Sequence, residues 1–208
     1  MDHATGRLNA DERKAQILRC ATKVFAKSNY RVAGIAEIAK EAGISEPTVY
    51  KYFPSKKQLF LEILQKVGEV TLRQWQDLAA SEPDATSALK KIAKTQFEAT
   101  ISRPELLKVQ FQALSESDDE EIRGLLRDNF ASYVAFLVET VRLGQSQGRI
   151  DQGVDVGAMA WNILAIGFTL NLTSLLELSH ELSFEKLEKI GDMLLFAASP
   201  ATRASSGV

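Results

Sequence analysis

The chain has one cysteine, two histidines and five prolines in 208 residues. A single cysteine, Cys20, excludes an internal disulfide and a cysteine-based zinc cluster. It falls on the stripe Ile17, Cys20, Ala21, Val24, Phe25, which predicts a small buried hydrophobe. The histidines stand at residues 3 and 180, too few and too scattered for a Ser-His or metal constellation, so no metal site is expected. The stretch from Gly144 to Gly148 lacks the lysine and the preceding strand of a phosphate-cradling loop. The acidic run Glu116 to Glu121 reads as a solvated linker. These gaps argue against an enzyme, and no cofactor is expected. The opening MDHATGRLNA carries no apolar signal segment, which predicts a cytoplasmic chain. Sustained period-two alternation and hairpin dipeptides are missing as well, so no sheet is expected.

What is present is helical periodicity throughout, and the densest signal lies in residues 34–53, GIAEIAKEAGISEPTVYKYF. Ile35, Ile38, Ala39 and Ala42 form the i, i+3, i+4, i+7 stripe of an amphipathic helix. Gly43 stands where that helix must stop, and glycine takes a left-handed turn conformation without a Cβ clash. Ile44 fills the corner, Ser45 is placed to cap the second helix, and Pro47 suits its first turn. Val49 and Tyr52 point inward, leaving Thr48, Tyr50 and Lys51 outward. This joint spacing predicts a helix-turn-helix whose second helix enters a DNA groove. Ser45, Glu46, Pro47 and Thr48 would face the groove, with Tyr50 and Lys51 on phosphate. Lys56, at the start of the next helix, is a further phosphate candidate beside that helix's positive end.

Charge supports the same polarity. Residues 1–60 hold eleven Lys/Arg against six Asp/Glu, a net +5, and the remainder holds fourteen against twenty-one, a net −7. A basic head on an acidic body suits phosphate binding by one end.

The run TVYKYFPSKKQLF and the upstream RKAQILRCATKVFAKSNYRVAGIAEIAKEAG resemble the signature of the TetR family of one-component bacterial regulators. The resemblance is specific over roughly residues 10–65 and architectural beyond. Three positions depart from the family's pattern. Gly34 stands where a threonine usually caps the second helix and touches phosphate, Ala36 where a basic residue is common, and Glu46 where one is frequent. The family's fold implies an all-α protein, with a three-helix DNA-binding head joined by a long helix to a larger helical body.

The remaining pattern fits that plan. Pro54 ends the recognition helix, and Leu59, Phe60, Ile63, Leu64, Val67, Leu72, Trp75 and Leu78 share one face of the next. That helix, from Ser55 to about Ala80, spans roughly 39 Å and would link head to body. Breaks at Ser81–Asp84, Arg103-Pro104, Ser115–Asp119 and Gly144–Gly148 separate the helices that follow. The expected domains are residues 1–60 for the DNA-binding head and 61–199 for the body, with 200–208 a disordered tail.

Val156 to Leu176 carries no charge and imitates a membrane span, yet it is seeded with Asn162, Thr169, Asn171, Thr173 and Ser174 and has no basic cluster at either end. It reads instead as a helix buried within protein, with no membrane partner. Two apolar faces on one helix need two partners. The family resemblance implies that the last two helices form a homodimer interface and that the body holds a small-molecule effector pocket. A monomer that buries both faces is the alternative. Candidate pocket residues are Trp75, Phe97, Phe111, Tyr133, Trp161 and Phe168, with Gln96, Gln110, Asn162 and Thr169 as polar groups on apolar faces. No charged residue is stranded among them, which favours an apolar or amphipathic ligand. The expected protein is a repressor released from a palindromic double-stranded DNA operator by such an effector. A helical lipid- or acyl-chain-binding protein without DNA function is the alternative.

Overall fold

The computed structural model describes residues 9–200, and helix is the sole regular structure among them. The tail expected at 200–208 lies, apart from Pro200, outside the described residues. The helices are α1 (Ala10–Ser28), α2 (Ile35–Ala42), α3 (Glu46–Tyr52), α4 (Lys56–Ser81), α5 (Ala85–Ser102), α6 (Pro104–Ser115), α7 (Glu120–Ser146), α8 (Val156–Leu175) and α9 (Phe184–Ala197). Their starts follow local capping chemistry. Asn9 and Glu12 form a reciprocal capping box on α1, while Asp84, Asp155 and Ser183 each accept a backbone N–H at the start of α5, α8 and α9.

The chain divides into two compact units. The first comprises the chain up to Val67 together with Lys108–Leu126; the second comprises Gly68–Leu107 with the chain from Arg127 onward. A sequence boundary near residue 60 places Lys108–Leu126 in the body, whereas the folded chain returns it to the head. That return rests on contacts between residues some eighty positions apart, which no local pattern announces.

In the first unit, α1 packs on α2 and α2 on α3. Ile17, Ala21, Phe25, Ile38, Val49, Phe53, Leu59, Phe60 and Leu64 are buried there, as are Val109, Ala113 and Ile122 from the returning segment. The Phe60 ring meets Phe25 edge-on at 5.4 Å and stacks on Tyr30 at 4.1 Å. Cys20 departs from expectation: it is half-buried, and partial burial, aided by nearby Glu41, raises its thiol pKa.

The turn from α1 to α2 is strained at Asn29, whose φ of 70° and ψ of 149° lie in a region that glycine alone takes freely. It persists because its N–H donates to Phe25 O at 3.0 Å, and its own carbonyl accepts from Ala33 N at 2.9 Å. Such strain costs about 1–3 kcal/mol, partly offset in a glycine variant by the greater freedom of its unfolded chain. Asn29→Gly is therefore expected to stabilise the protein by about 1 kcal/mol in urea denaturation. A lower midpoint would show that the Asn29 side chain, which accepts from Arg31 N at 3.2 Å, outweighs the strain.

The second unit has a core of Trp75, Leu89, Ile92, Leu137 and Ala160, continued by Val141, Ile150, Met159 and Ala198. There α5 packs on both α8 and α9. Gly68 permits a close approach within this unit, since a Cβ at that position would fall 2.3 Å from Asn129 Oδ1. By length and composition α8 alone, among the described residues, could cross a membrane. The expectation that it is buried within the protein does not hold for one chain: Met159, Ala160 and Leu170 are buried, whereas Trp161, Ala165, Phe168 and Leu172 face outward. Trp161 is 56% exposed, and on α9 Met193 is 71% and Phe196 69% exposed. Large exposed apolar side chains recurring on two helices in this way are the pattern of an interaction face.

Candidate nucleic-acid interface

The helix-turn-helix is built as its spacing predicts. Gly34 is the N-cap of α2, with no side chain to donate or accept, and Gly43 closes that helix in the left-handed conformation at φ 64°. The Gly43 N–H bonds back to the carbonyls of Ala39 and Lys40, and Ile44 N–H reaches Ala39 O at 3.0 Å. From α1, Gln16 Nε2 donates to Ala42 O at 3.0 Å, satisfying another free carbonyl at the end of α2. Val49 is fully buried and anchors α3, while Tyr52 is half-buried.

The outward face of α3 carries Glu46, Pro47, Tyr50 and Lys51, all exposed, with Thr48 half-buried beside them. Tyr50 is 48% exposed. Lys51 forms no ion pair among the described residues, so its ammonium is available to an anion. Ser45 departs from the expected role. It is the N-cap residue, but its side chain makes no capping bond; its hydroxyl lies 2.8 Å from Thr48 Oγ1. Both hydroxyls therefore sit together at the exposed N-terminus of α3.

Lys56 is the clearest correction. Its ammonium donates to three backbone carbonyls, Tyr30 O at 2.8 Å, Ala33 O at 3.0 Å and Arg31 O at 3.1 Å, and lies over the Tyr30 ring. An ammonium has three protons, and all three are committed. Lys56 thus holds the α1–α2 turn in place of reaching for phosphate. The acidic linker departs similarly: Glu116 takes both oxygens to Arg31 Nε at 2.8 and 3.0 Å, and Asp119 and Glu121 both pair with Lys57. Those bonds raise the Lys57 pKa to about 12 and lower that of Asp119. Sequence reasoning missed Val32, which is 78% exposed two residues before Gly34 and is the most exposed large hydrophobic side chain described.

The proposed pocket residues do not form one group. Gln110 and Phe111 belong to the first unit and the other eight to the second. Trp161, Asn162, Phe168 and Thr169 lie on the exposed face of α8. Asn162 Nδ2 and Thr169 Oγ1 both donate to their own helix, to Ala158 O and Ala165 O at 2.9 Å, so neither needs a ligand. Trp75 is core, 5.1 Å from the Tyr133 ring, and burial raises the Tyr133 pKa. Phe97 contacts Phe184 at 5.5 Å. Gln96 offers its backbone carbonyl to Thr100 Oγ1 at 2.9 Å, and Thr100 also lies 3.0 Å from the Asn171 side chain. This buried Thr100–Asn171 pair, between α5 and α8, is the polar feature of the body that the aromatic pattern did not reveal. The Thr100 hydroxyl has one proton, which the Gln96 carbonyl and Asn171 Oδ1 share.

A two-helix motif with a glycine-turned corner, a buried anchor at Val49 and an exposed second-helix face has the form of a DNA-binding helix-turn-helix. A model described as "Bacterial regulatory proteins, tetR family" matches residues 17–63. Over those residues the chain is similar to the TetR family. Over 60 residues it is 47% identical to the transcriptional activator FasR of Mycolicibacterium smegmatis, a match covering 29% of this chain and 27% of that one. It is 26% identical to a fatty acid metabolism regulator protein of Bacillus subtilis over 68% of this chain and 72% of the relative. The chain thus spans little more than a quarter of the first of these relatives. A solved transcriptional regulator from Bacillus subtilis, FadR in complex with stearoyl-CoA, shares the fold at a TM-score of 0.72 and 19% identity, covering 89% of this chain and 97% of that one.

Proposed function

We propose that the protein is a cytoplasmic, homodimeric repressor that binds a palindromic DNA operator through α3 and is released by an amphipathic effector held in the second unit. The observation that carries the DNA reading is the outward face of α3, where Ser45 and Thr48 stand at the helix N-terminus and Tyr50 and Lys51, which forms no ion pair among the described residues, are exposed along it. Tyr50 and Lys51 contact phosphate, which positions the helix, and Thr48 with Ser45, Glu46 and Pro47 faces base edges, which specify sequence. Gly34 approaches the backbone through its N–H alone, since the usual threonine hydroxyl is missing. The apolar face of α8 and α9 supports dimerisation, and two heads about 34–36 Å apart match half-sites one DNA turn apart. The stearoyl-CoA-bound neighbour and the fatty acid regulator among the relatives support an effector with a long apolar part. Trp75, Gln96, Phe97 and Tyr133 remain the lining candidates.

The test is selection of duplexes from a random pool by the full chain, followed by titration. A palindromic consensus is expected, and Lys51→Ala should weaken binding to all duplexes and flatten the salt dependence by about one unit of slope. Stearoyl-CoA is the first effector probe. It should release the selected duplex over the range in which it changes Trp75 fluorescence, measured with Trp161 replaced by Phe. Saturation of the fluorescence change with no loss of DNA binding would separate that ligand site from the switch. Recovery of no consensus would favour a helical lipid-binding protein without DNA function.

A further inference from the structure

The α1–α2 turn is gripped from a second side by Gln112. This residue lies on the part of α6 that belongs to the first unit, and both ends of its amide are engaged. Its Nε2 donates to Phe25 O at 2.9 Å, and its Oε1 accepts from Tyr30 N–H at 3.2 Å. The two contacts straddle strained Asn29, where the chain leaves α1. Tyr30 in turn stacks on Phe60, and its carbonyl is one of the three held by Lys56. Asn29 O fixes Ala33 N, one residue before Gly34 caps α2. The place of Tyr30 therefore sets where α2 begins, and α2 carries α3 through the Gly43 corner.

The ion pairs around this clamp differ from it in kind. Arg31–Glu116 and Lys57–Asp119 involve partly exposed charges, and such pairs contribute little and are screened by salt. Gln112 is neutral and half-buried, with two directional bonds to backbone, so its hold does not depend on ionic strength.

We propose that Gln112 is a positioning residue for DNA recognition: its bidentate amide fixes the α1–α2 turn, and through it the recognition helix, to α6. Any shift of α6 then enters the DNA-reading motif at Tyr30, by a path separate from α4. The inference rests on the DNA-binding reading above.

The experiment compares full-length wild type, Gln112→Met, Gln112→Glu and Glu116→Gln on two probes at 20 °C, a duplex selected by the wild type and a scrambled duplex of equal length. Gln112→Met, close in shape but unable to make either bond, should bind the selected duplex about tenfold more weakly, with binding to the scrambled duplex and the salt slope unchanged. Gln112→Glu keeps the acceptor for Tyr30 and turns a carboxylate toward Phe25 O, so it should lose a smaller part of the preference. Glu116→Gln should change the preference by less than about twofold. A merely structural role would lower both affinities together or neither. A selected-to-scrambled ratio that Gln112→Met retains within about twofold overturns the assignment. If that variant melts below 20 °C, the ratio in Gln112→Glu decides by the same criterion. A wild type that prefers no duplex overturns the DNA-binding reading and this assignment with it, whereas a wild-type preference that both variants keep overturns this assignment alone.

Discussion

Leu172→Glu splits the proposed dimer and abolishes tight operator binding. Leu172 is exposed on the outer face of α8, in line with Trp161, Ala165 and Phe168, and one turn before Leu176. On this face the side chains are apolar or, like Asn162 and Thr169, already bonded to their own helix. A second copy can therefore cover it without stranding a polar group. A carboxylate there is buried unpaired at a cost of several kcal/mol, and twofold symmetry places it in the interface twice. Dimerisation should weaken by about a hundredfold or more. The folded monomer should survive, because residue 172 is not part of the chain's own core. Sedimentation at micromolar concentration should show wild-type dimers and variant monomers of unchanged helicity. Operator affinity should fall with dimerisation, since each monomer carries one half-site reader. A wild-type monomer, or a variant that remains dimeric, would move the interface elsewhere.

Lys56→Met lowers the stability of the DNA-binding unit without altering the salt dependence of DNA binding. The substitution keeps the unbranched stem and leaves the carbonyls of Tyr30, Arg31 and Ala33 without their shared donor. Hydrogen bonds to a charged group contribute about 1.5–3 kcal/mol, and the exposed Arg31 carbonyl can recover water, so a net loss of about 2–3 kcal/mol is expected. Denaturation in urea, followed by circular dichroism, measures it. The slope of log affinity against log salt should match wild type, because a lysine that touches no phosphate releases no counterion. A slope flattened by about one unit, with stability kept within about 0.5 kcal/mol, would return Lys56 to the phosphate contacts.

Much of the helix-turn-helix is written in local chemistry. Gly43 can take φ 64° without strain, Ile35, Ile38 and Ala39 recur at helical spacing, and Pro54 stops α3; each acts within a few residues, so spacing alone specifies it. The ends of α5, α8 and α9 follow from Asp84, Asp155 and Ser183 for the same reason. Where a helix ends without such a residue, the pattern misleads: α8 stops at Leu175 because Glu177 takes a left-handed conformation usually reserved for glycine. The candidate site divides along the same line. The exposure of Tyr50 and Lys51 is a consequence of helix phase, whereas the employment of Lys56 depends on three carbonyls more than twenty residues away.

The sequence by itself determined the all-helical fold, the DNA-reading motif and the apolar character of α8 and α9, because periodicity, capping and turn chemistry are local. Tertiary structure alone decided that Lys108–Leu126 belongs with the head, that Glu116 and Asp119 are pairing partners for Arg31 and Lys57, and which face of α8 is left uncovered. Those outcomes depend on which distant segments meet. A carboxylate in a linker and one aimed at a distant cation are the same letter in a sequence, and only the folded chain supplies the partner that separates them.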